Sequence, residues 1–300
     1  MYMKYYPWMI SLRLKTLPLS LCSIVVGNAL AYWQYQFNFW IMLLAIITAS
    51  LLQILSNLAN DYGDAIKGTD KLNLTAHARG IQLGLITLKQ LKIALQINII
   101  LCVFAGISLL TLACNTLYEL YGFIVLGLLS IIAAITYTVG KKPYGYIGLG
   151  DLSVLIFFGL IGVIGSYYLQ TKTLSFFIIF PALGCGLLSV AVLNINNLRD
   201  LESDKKNHKR TLIVLIGKKL GQIYHLILLI AALFCFSLFA YHTLQSIWAW
   251  LFMLISPLFI KHIFAVFRFK TAKDATPLLL QMVKLALLTN LLYCSGIMLS

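Results

Sequence analysis

The sequence predicts an all-α membrane protein, a bundle of nine transmembrane helices, on three observations. The 300 residues are 61% hydrophobic and 11% charged, against about 25% charged in a soluble domain. Asp, Glu, Lys and Arg are missing from 16–60, 93–118, 120–140, 152–171, 173–198 and 220–260, and a helix needs about 20 apolar residues to cross the bilayer core. The basic residues fall almost entirely on one side of the spans that those runs define.

Taken in order, the run 16–60 is long enough for two spans, near 17–33 and 40–60. The next four runs hold one span each, near 93–113, 119–139, 150–169 and 174–196. The run 220–260 holds two, near 220–241 and 244–263, and 276–298 supplies the last, near 277–298. The first apolar stretch is followed at once by a second, with no polar mature region between them, so no cleavable signal peptide is expected. Residues 1–300 are read as a single polytopic domain.

A net charge of +14 raises the question of nucleic acid, but its distribution points to a lipid bilayer and no nucleic acid. With nine spans, one face receives the N-terminus and loops 61–92, 140–151, 197–219 and 264–275. With Lys261 and Lys284 assigned to helix ends near that face, it carries every basic residue except Lys172. Such a positive-inside bias sets the N-terminus in the cytoplasm and the C-terminus outside. The six cysteines lie singly in apolar segments, without the paired spacing of a zinc site, and are read as small buried hydrophobes. The five histidines are equally scattered.

Nine carboxylates occur in the chain, and six of them form two short clusters on this cytoplasmic face. The first is Asp61, Asp64 and Asp70, the second Asp200, Glu202 and Asp204. Acids next to hydrocarbon are costly, so where they gather they usually bind something cationic. Asn57 and Asn60 precede the first cluster, and Asn194 and Asn197 the second. On a helix Asn57, Asp61 and Asp64 share a face at i, i+4 and i+7, with Asn60 on the same side. Asn197, Asp200 and Asp204 share another at i, i+3 and i+7, whereas Glu202 points away. Gly68 permits a helix end, from which Asp70 can fold back. Mg²⁺ takes six oxygen ligands and bridges carboxylates to phosphate oxygens. Two Asn/Asp-rich helix ends facing one space, a central cavity open to the cytoplasmic side, therefore suggest Mg²⁺ holding a diphosphate. Lys67, Arg79, Lys141, Lys142, Arg199, Lys205, Lys209 and Arg210 lie close enough in sequence to compensate the remaining negative charge.

The motifs Asn60-Asp61-Tyr62-Gly63-Asp64 and Asp200-Leu201-Glu202-Ser203-Asp204 resemble the NDxxD and DxxxD motifs of the UbiA superfamily of intramembrane prenyltransferases. Within it the chain is most similar to the 1,4-dihydroxy-2-naphthoate polyprenyltransferases of menaquinone synthesis. The resemblance rests on QILSNLANDYGDAIKGTD (53–70), RGIQLGLIT (79–87, with Arg79 and Gln82), YTVGKKPYGYIGLGD (137–151) and NINNLRDLESDKKNHKRTL (194–212). Asp70 follows Asp64 by six residues, where the hydroxybenzoate branch places its third acid four residues on. The run LNLTAHA before Arg79 departs from the family in lacking a proline.

The resemblance implies transfer of an all-trans polyprenyl group from polyprenyl diphosphate to 1,4-dihydroxy-2-naphthoate with loss of CO₂, giving demethylmenaquinone, in the bacterial cytoplasmic (inner) membrane. Asp61, Asp64, Asp70, Asp200 and Asp204 are the expected Mg²⁺ ligands. Asn57, Asn60, Gln82, Asn197 and the basic residues are expected to contact substrates. Tyr137 is the preferred aromatic face for an allylic cation, while Tyr144 and Tyr146 fit an interfacial aromatic belt equally well. Two alternatives stand beside this one. Another aromatic acceptor, such as 4-hydroxybenzoate, fits the same motifs. A secondary transporter would need ionisable residues near the membrane midplane, where Lys284 is the one clear exception to uncharged midspans.

Overall fold

The computed structural model describes residues 2–13, 17–67, 80–81 and 84–300, with side chains from Pro7 onward. The expectations for Asp70, Arg79 and Gln82 lie outside the described residues. Among the described residues every regular element is helical. In order these are α1 (Tyr2–Leu12), α2 (Leu17–Trp33), α3 (Phe39–Lys67), α4 (Leu88–Ala113) and α5 (Leu117–Thr136). There follow α6 (Gly150–Thr171), α7 (Phe176–Lys206), α8 (Leu212–Leu244), α9 (Ile247–Arg268) and α10 (Ala272–Leu299). Eight of them, α3 to α10, are long and apolar enough to cross a membrane, and α2 is a shorter apolar helix. The chain is a polytopic membrane protein.

Local chemistry accounts for several boundaries. Thr87 and Thr271 open α4 and α10 with capping boxes, completed by Gln90 and Asp274, each satisfying amide groups that the first helical turn leaves unpaired. Thr211 caps α8 through Val214, and Gly217, at φ 83°, breaks that helix after its first turn. The spans expected near 40–60 and 174–196 continue as helix to Lys67 and Lys206. A helix satisfies its own backbone in water as in lipid, so it need not end where the apolar residues do. Both acidic motifs consequently ride on rigid helices. Lys261 and Lys284, expected at helix ends, instead lie exposed within α9 and α10; a long apolar stem lets a lysine carry its charge toward the interface.

The chain divides into two compact units. The first comprises residues 1–17 and 43–147. Its core is Leu55, Leu58, Ala59, Ile86, Leu91, Leu95 and Cys102, with Trp8 and Leu12 of α1 packed against it. The α5 helix buries none of its residues in the chain itself, so its apolar surface is left for lipid.

The second unit comprises residues 18–42 and 148–300. Here α7 packs on α6, α8 and α10. The α6–α7 approach depends on small residues: a Cβ at Gly159 would lie 2.7 Å from the Ala182 carbonyl oxygen and 3.0 Å from the Gly186 Cα. In lipid, where burying apolar surface drives little, such close backbone packing is a main source of helix association. Gly159→Leu is therefore expected to destabilise the protein by roughly 1–3 kcal/mol, measured as a lower melting temperature in detergent. An unchanged melting temperature would show that the two helices do not meet there. Between residues 155 and 165 α6 is wound as a π-helix, a rare form that is frequent at functional sites.

Candidate active site

In the first unit the acidic face of α3 is fixed by α1 and by the turn that follows α5. Asp61 is fully buried and pairs with the Arg13 guanidinium at 3.1 Å. Four residues earlier, Asn57 donates to the Leu12 carbonyl at 3.0 Å and accepts from Gln53 at 3.2 Å, tying the end of α1 to α3. Gly63 lets the 138 turn approach: a Cβ there would stand 2.9 Å from the Thr138 carbonyl oxygen. Thr138 donates its hydroxyl to Asn60, and its carbonyl accepts from Lys67 at 3.1 Å. Tyr146 donates to Asp64 at 2.7 Å, and the Lys67 ammonium lies 3.9 Å from the centre of the Tyr146 ring.

The 137–146 turn is thus held to α3 at three points, which brings Asn60, Asp64, Lys67, Tyr137 and Tyr146 into one neighbourhood. Tyr137 is half-buried and meets Tyr144 edge-on, with ring centres 5.2 Å apart. The Tyr144 hydroxyl donates to the Ala133 carbonyl at 2.8 Å, which fixes it in the turn. Lys141 and Lys142 are exposed at its tip.

The second unit carries the other motif on α7. Arg199 grips Asp200 with two hydrogen bonds of 2.7 Å and also donates to Asn196 at 2.9 Å. Two parallel bonds of this kind match the planar fork of arginine to a carboxylate. Asp204 is largely buried, with Lys209 at 3.8 Å. The chain turns back at this point, because the Lys209 amide donates to the Asp204 carbonyl at 2.9 Å. Asn197 is buried on the same side as Asp200 and Asp204. Glu202 is 80% exposed and its neighbour at 3.5 Å is Lys205, itself 48% exposed, an arrangement worth little energetically.

Each motif therefore combines carboxylate oxygens, the donors that a hard dication prefers, with cations suited to an anion. Among the described residues no three His, Cys, Asp or Glu side chains are arranged to hold a metal ion by themselves. Mg²⁺ uses one or two carboxylates and completes its shell from phosphate oxygens and water.

Three participants escaped the sequence pattern. Arg13 stands 48 residues from Asp61 and Tyr146 stands 82 residues from Asp64, distances over which helical periodicity carries no information. Asp151 sits inside the quoted run 137–151 but outside both acidic clusters; it is 7% exposed, and a lone acid at the start of an apolar span was its one visible signal.

The UbiA prenyltransferase family model matches residues 20–288. A 1,4-dihydroxy-2-naphthoate octaprenyltransferase of Escherichia coli is 54% identical over 293 residues, covering 98% of this chain and 95% of that protein. The Haemophilus influenzae protein of the same name is 48% identical, covering 97% and 95%. Among solved structures, a UbiA homolog from Aeropyrum pernix aligns with a TM-score of 0.72 at 15% identity, covering 93% of this chain and 96% of that one. A UbiA homolog from Archaeoglobus fulgidus bound to GPP and Mg²⁺ aligns at 0.64 with 13% identity, covering 96% and 99%. With the helical fold, both acidic motifs and these likenesses in hand, the chain belongs to the UbiA prenyltransferase family.

Proposed function

We propose that this chain transfers an all-trans polyprenyl group from its diphosphate to 1,4-dihydroxy-2-naphthoate, with loss of the ring carboxylate as CO₂. The observation that carries this is near-full-length identity to two naphthoate octaprenyltransferases, joined to the carboxylates fixed on α3 and α7. Asp61 and Asp64 of the first motif and Asp200 and Asp204 of the second are the carboxylates assigned to Mg²⁺ and donor diphosphate, with Asp70 as a further oxygen ligand. These carboxylates would hold Mg²⁺, which when bound would neutralise charge developing on the departing diphosphate.

The chain's own residues do the rest. Arg13 and Arg199, already beside Asp61 and Asp200, keep those carboxylates oriented. Lys67, Arg79, Lys141, Lys142 and Lys209 balance the diphosphate. Asn60, Gln82, Asn197 and Lys205 complete the polar contacts, and Asn57 keeps α1 in place behind Asp61. The half-buried Tyr137 ring stabilises the allylic cation, an interaction of roughly 0.5–2 kcal/mol. Tyr146 fixes the Asp64 carboxylate, so Tyr146→Phe is expected to lower turnover about tenfold, roughly 1.4 kcal/mol, in protein that still folds. Turnover at the wild-type rate would show that Asp64 is positioned without it. The protein lies in the bacterial inner membrane with both motifs on the cytoplasmic face, as the positive-inside bias requires.

Membranes containing the chain, labelled polyprenyl diphosphate and the naphthoate test this directly. Lipid-soluble labelled product is expected with Mg²⁺ and is abolished by a chelator. Product formed at an undiminished rate under chelation would contradict the metal-bound donor site.

A further inference from the structure

Resting on that function, we propose that Asp151, at the start of α6, accepts the proton of the acceptor's ring hydroxyl as the new carbon–carbon bond forms. Asp151 opens α6 at the end of the run 137–151. It is 7% exposed, and the Tyr224 hydroxyl of α8 is an electrostatic neighbour of its carboxylate. Its Oδ1 is buried without a hydrogen-bond partner among the described residues. An acid in a membrane-spanning segment is costly and marks a functional site by default. A buried carboxylate oxygen with no partner is placed to receive a donor from a ligand.

Depth assigns that ligand. Leu155 and Gly159 of α6 lie against Gly186 and Ala182 of α7, an antiparallel pair. Counting back places Asp151 beside residue 190, about 15 Å along α7 from Asp200 at 1.5 Å per residue. On the neighbouring helix Gly221 lies against Leu198 and its carbonyl accepts from Asn194, which puts Tyr224 at a similar depth. The pair therefore sits on the bilayer side of the diphosphate motif. The prenyl C1 is bonded to a diphosphate held at Asp200 and Asp204, so the acceptor attacks between that motif and this pair, with its ring hydroxyl turned toward Asp151.

The electron count closes without a net proton. The hydroxyl ortho to the acceptor's carboxylate gives its proton to Asp151. The freed oxygen pair is pushed through the ring, and the carboxylate-bearing carbon bonds to C1 of the prenyl group. The C1–O bond breaks, and its pair leaves with the diphosphate. The carboxylate then departs as CO₂, its bonding pair restores the aromatic ring, and the ring oxygen takes its proton back from Asp151. A base that borrows one proton and returns it needs no path to water, which suits a buried carboxylate.

Asp151→Asn keeps the shape and loses the base. It is expected to lower kcat for naphthoate at least about a hundredfold, within the range of general base catalysis. Binding of labelled polyprenyl diphosphate, and the KM for it, should stay within about twofold of wild type. Asp151→Glu should recover part of the rate, and Tyr224→Phe, which removes the neighbouring hydroxyl, should lower kcat about tenfold. Transfer at the wild-type rate in Asp151→Asn overturns the proposal. Loss of donor binding together with transfer in both Asp151 variants does so too, because it assigns the residue to folding. Failure of the wild-type protein itself to prenylate the naphthoate is a separate outcome and overturns the function on which the proposal rests.

Discussion

Alanine at Asp61, Asp64, Asp200 or Asp204 is expected to lower prenyl transfer at least about a hundredfold, equivalent to roughly 2.7 kcal/mol of transition-state stabilisation. Each is a proposed metal ligand carried on a helix. Asp61 is fully buried against Arg13, Asp64 is fixed by Tyr146, and Asp200 and Asp204 project from α7 beside Arg199 and Lys209. Glu202→Ala is the internal control. With its side chain 80% exposed and paired to Lys205, its loss should change turnover by less than about threefold, given the small worth of exposed ion pairs. Steady-state rates in membranes, normalised to folded protein, decide the matter. A Glu202→Ala defect equal to that of Asp200→Ala would contradict the assignment of the helical face.

The second large effect concerns the acceptor. A site shaped for a bicyclic hydroxy acid gains apolar contact that a single benzene ring cannot supply. At about 25 cal/mol per Å² of buried apolar surface, the missing fused ring makes several kcal/mol of discrimination available. 4-Hydroxybenzoate is expected to be prenylated at least about a hundredfold less efficiently than 1,4-dihydroxy-2-naphthoate, compared as kcat/KM. Equal use of the two acids would refute the naphthoate assignment and leave prenyl transfer intact.

Long charge-free runs and helical spacing made the spans and both acidic faces legible in the sequence, because hydropathy and periodicity are local properties. The same locality hid what holds the carboxylates in place. The Arg13–Asp61 pair joins residues 48 apart and the Tyr146–Asp64 bond residues 82 apart, and both depend on how α1 and the 137–146 turn lie against α3. Tyr146 stood open between a belt residue and a site residue because an interfacial tyrosine and a positioning tyrosine occupy the same kind of sequence. The π-wound stretch of α6 left no mark either: Leu155–Gly165 is uniformly apolar and small-residue rich, so nothing in its pattern distinguishes five residues per hydrogen bond from four. Asp151 was visible as an isolated acid, but its burial and its nearness to Tyr224 arise only when α6, α7 and α8 pack.

The fate of the acceptor's carboxylate tests the central claim most directly. Naphthoate labelled in its carboxyl carbon, incubated with polyprenyl diphosphate, Mg²⁺ and membranes containing this chain, is expected to release one labelled CO₂ for each diphosphate set free. The prenylated product should carry no label. A prenylated product that retains the labelled carboxylate would contradict decarboxylative transfer by this protein.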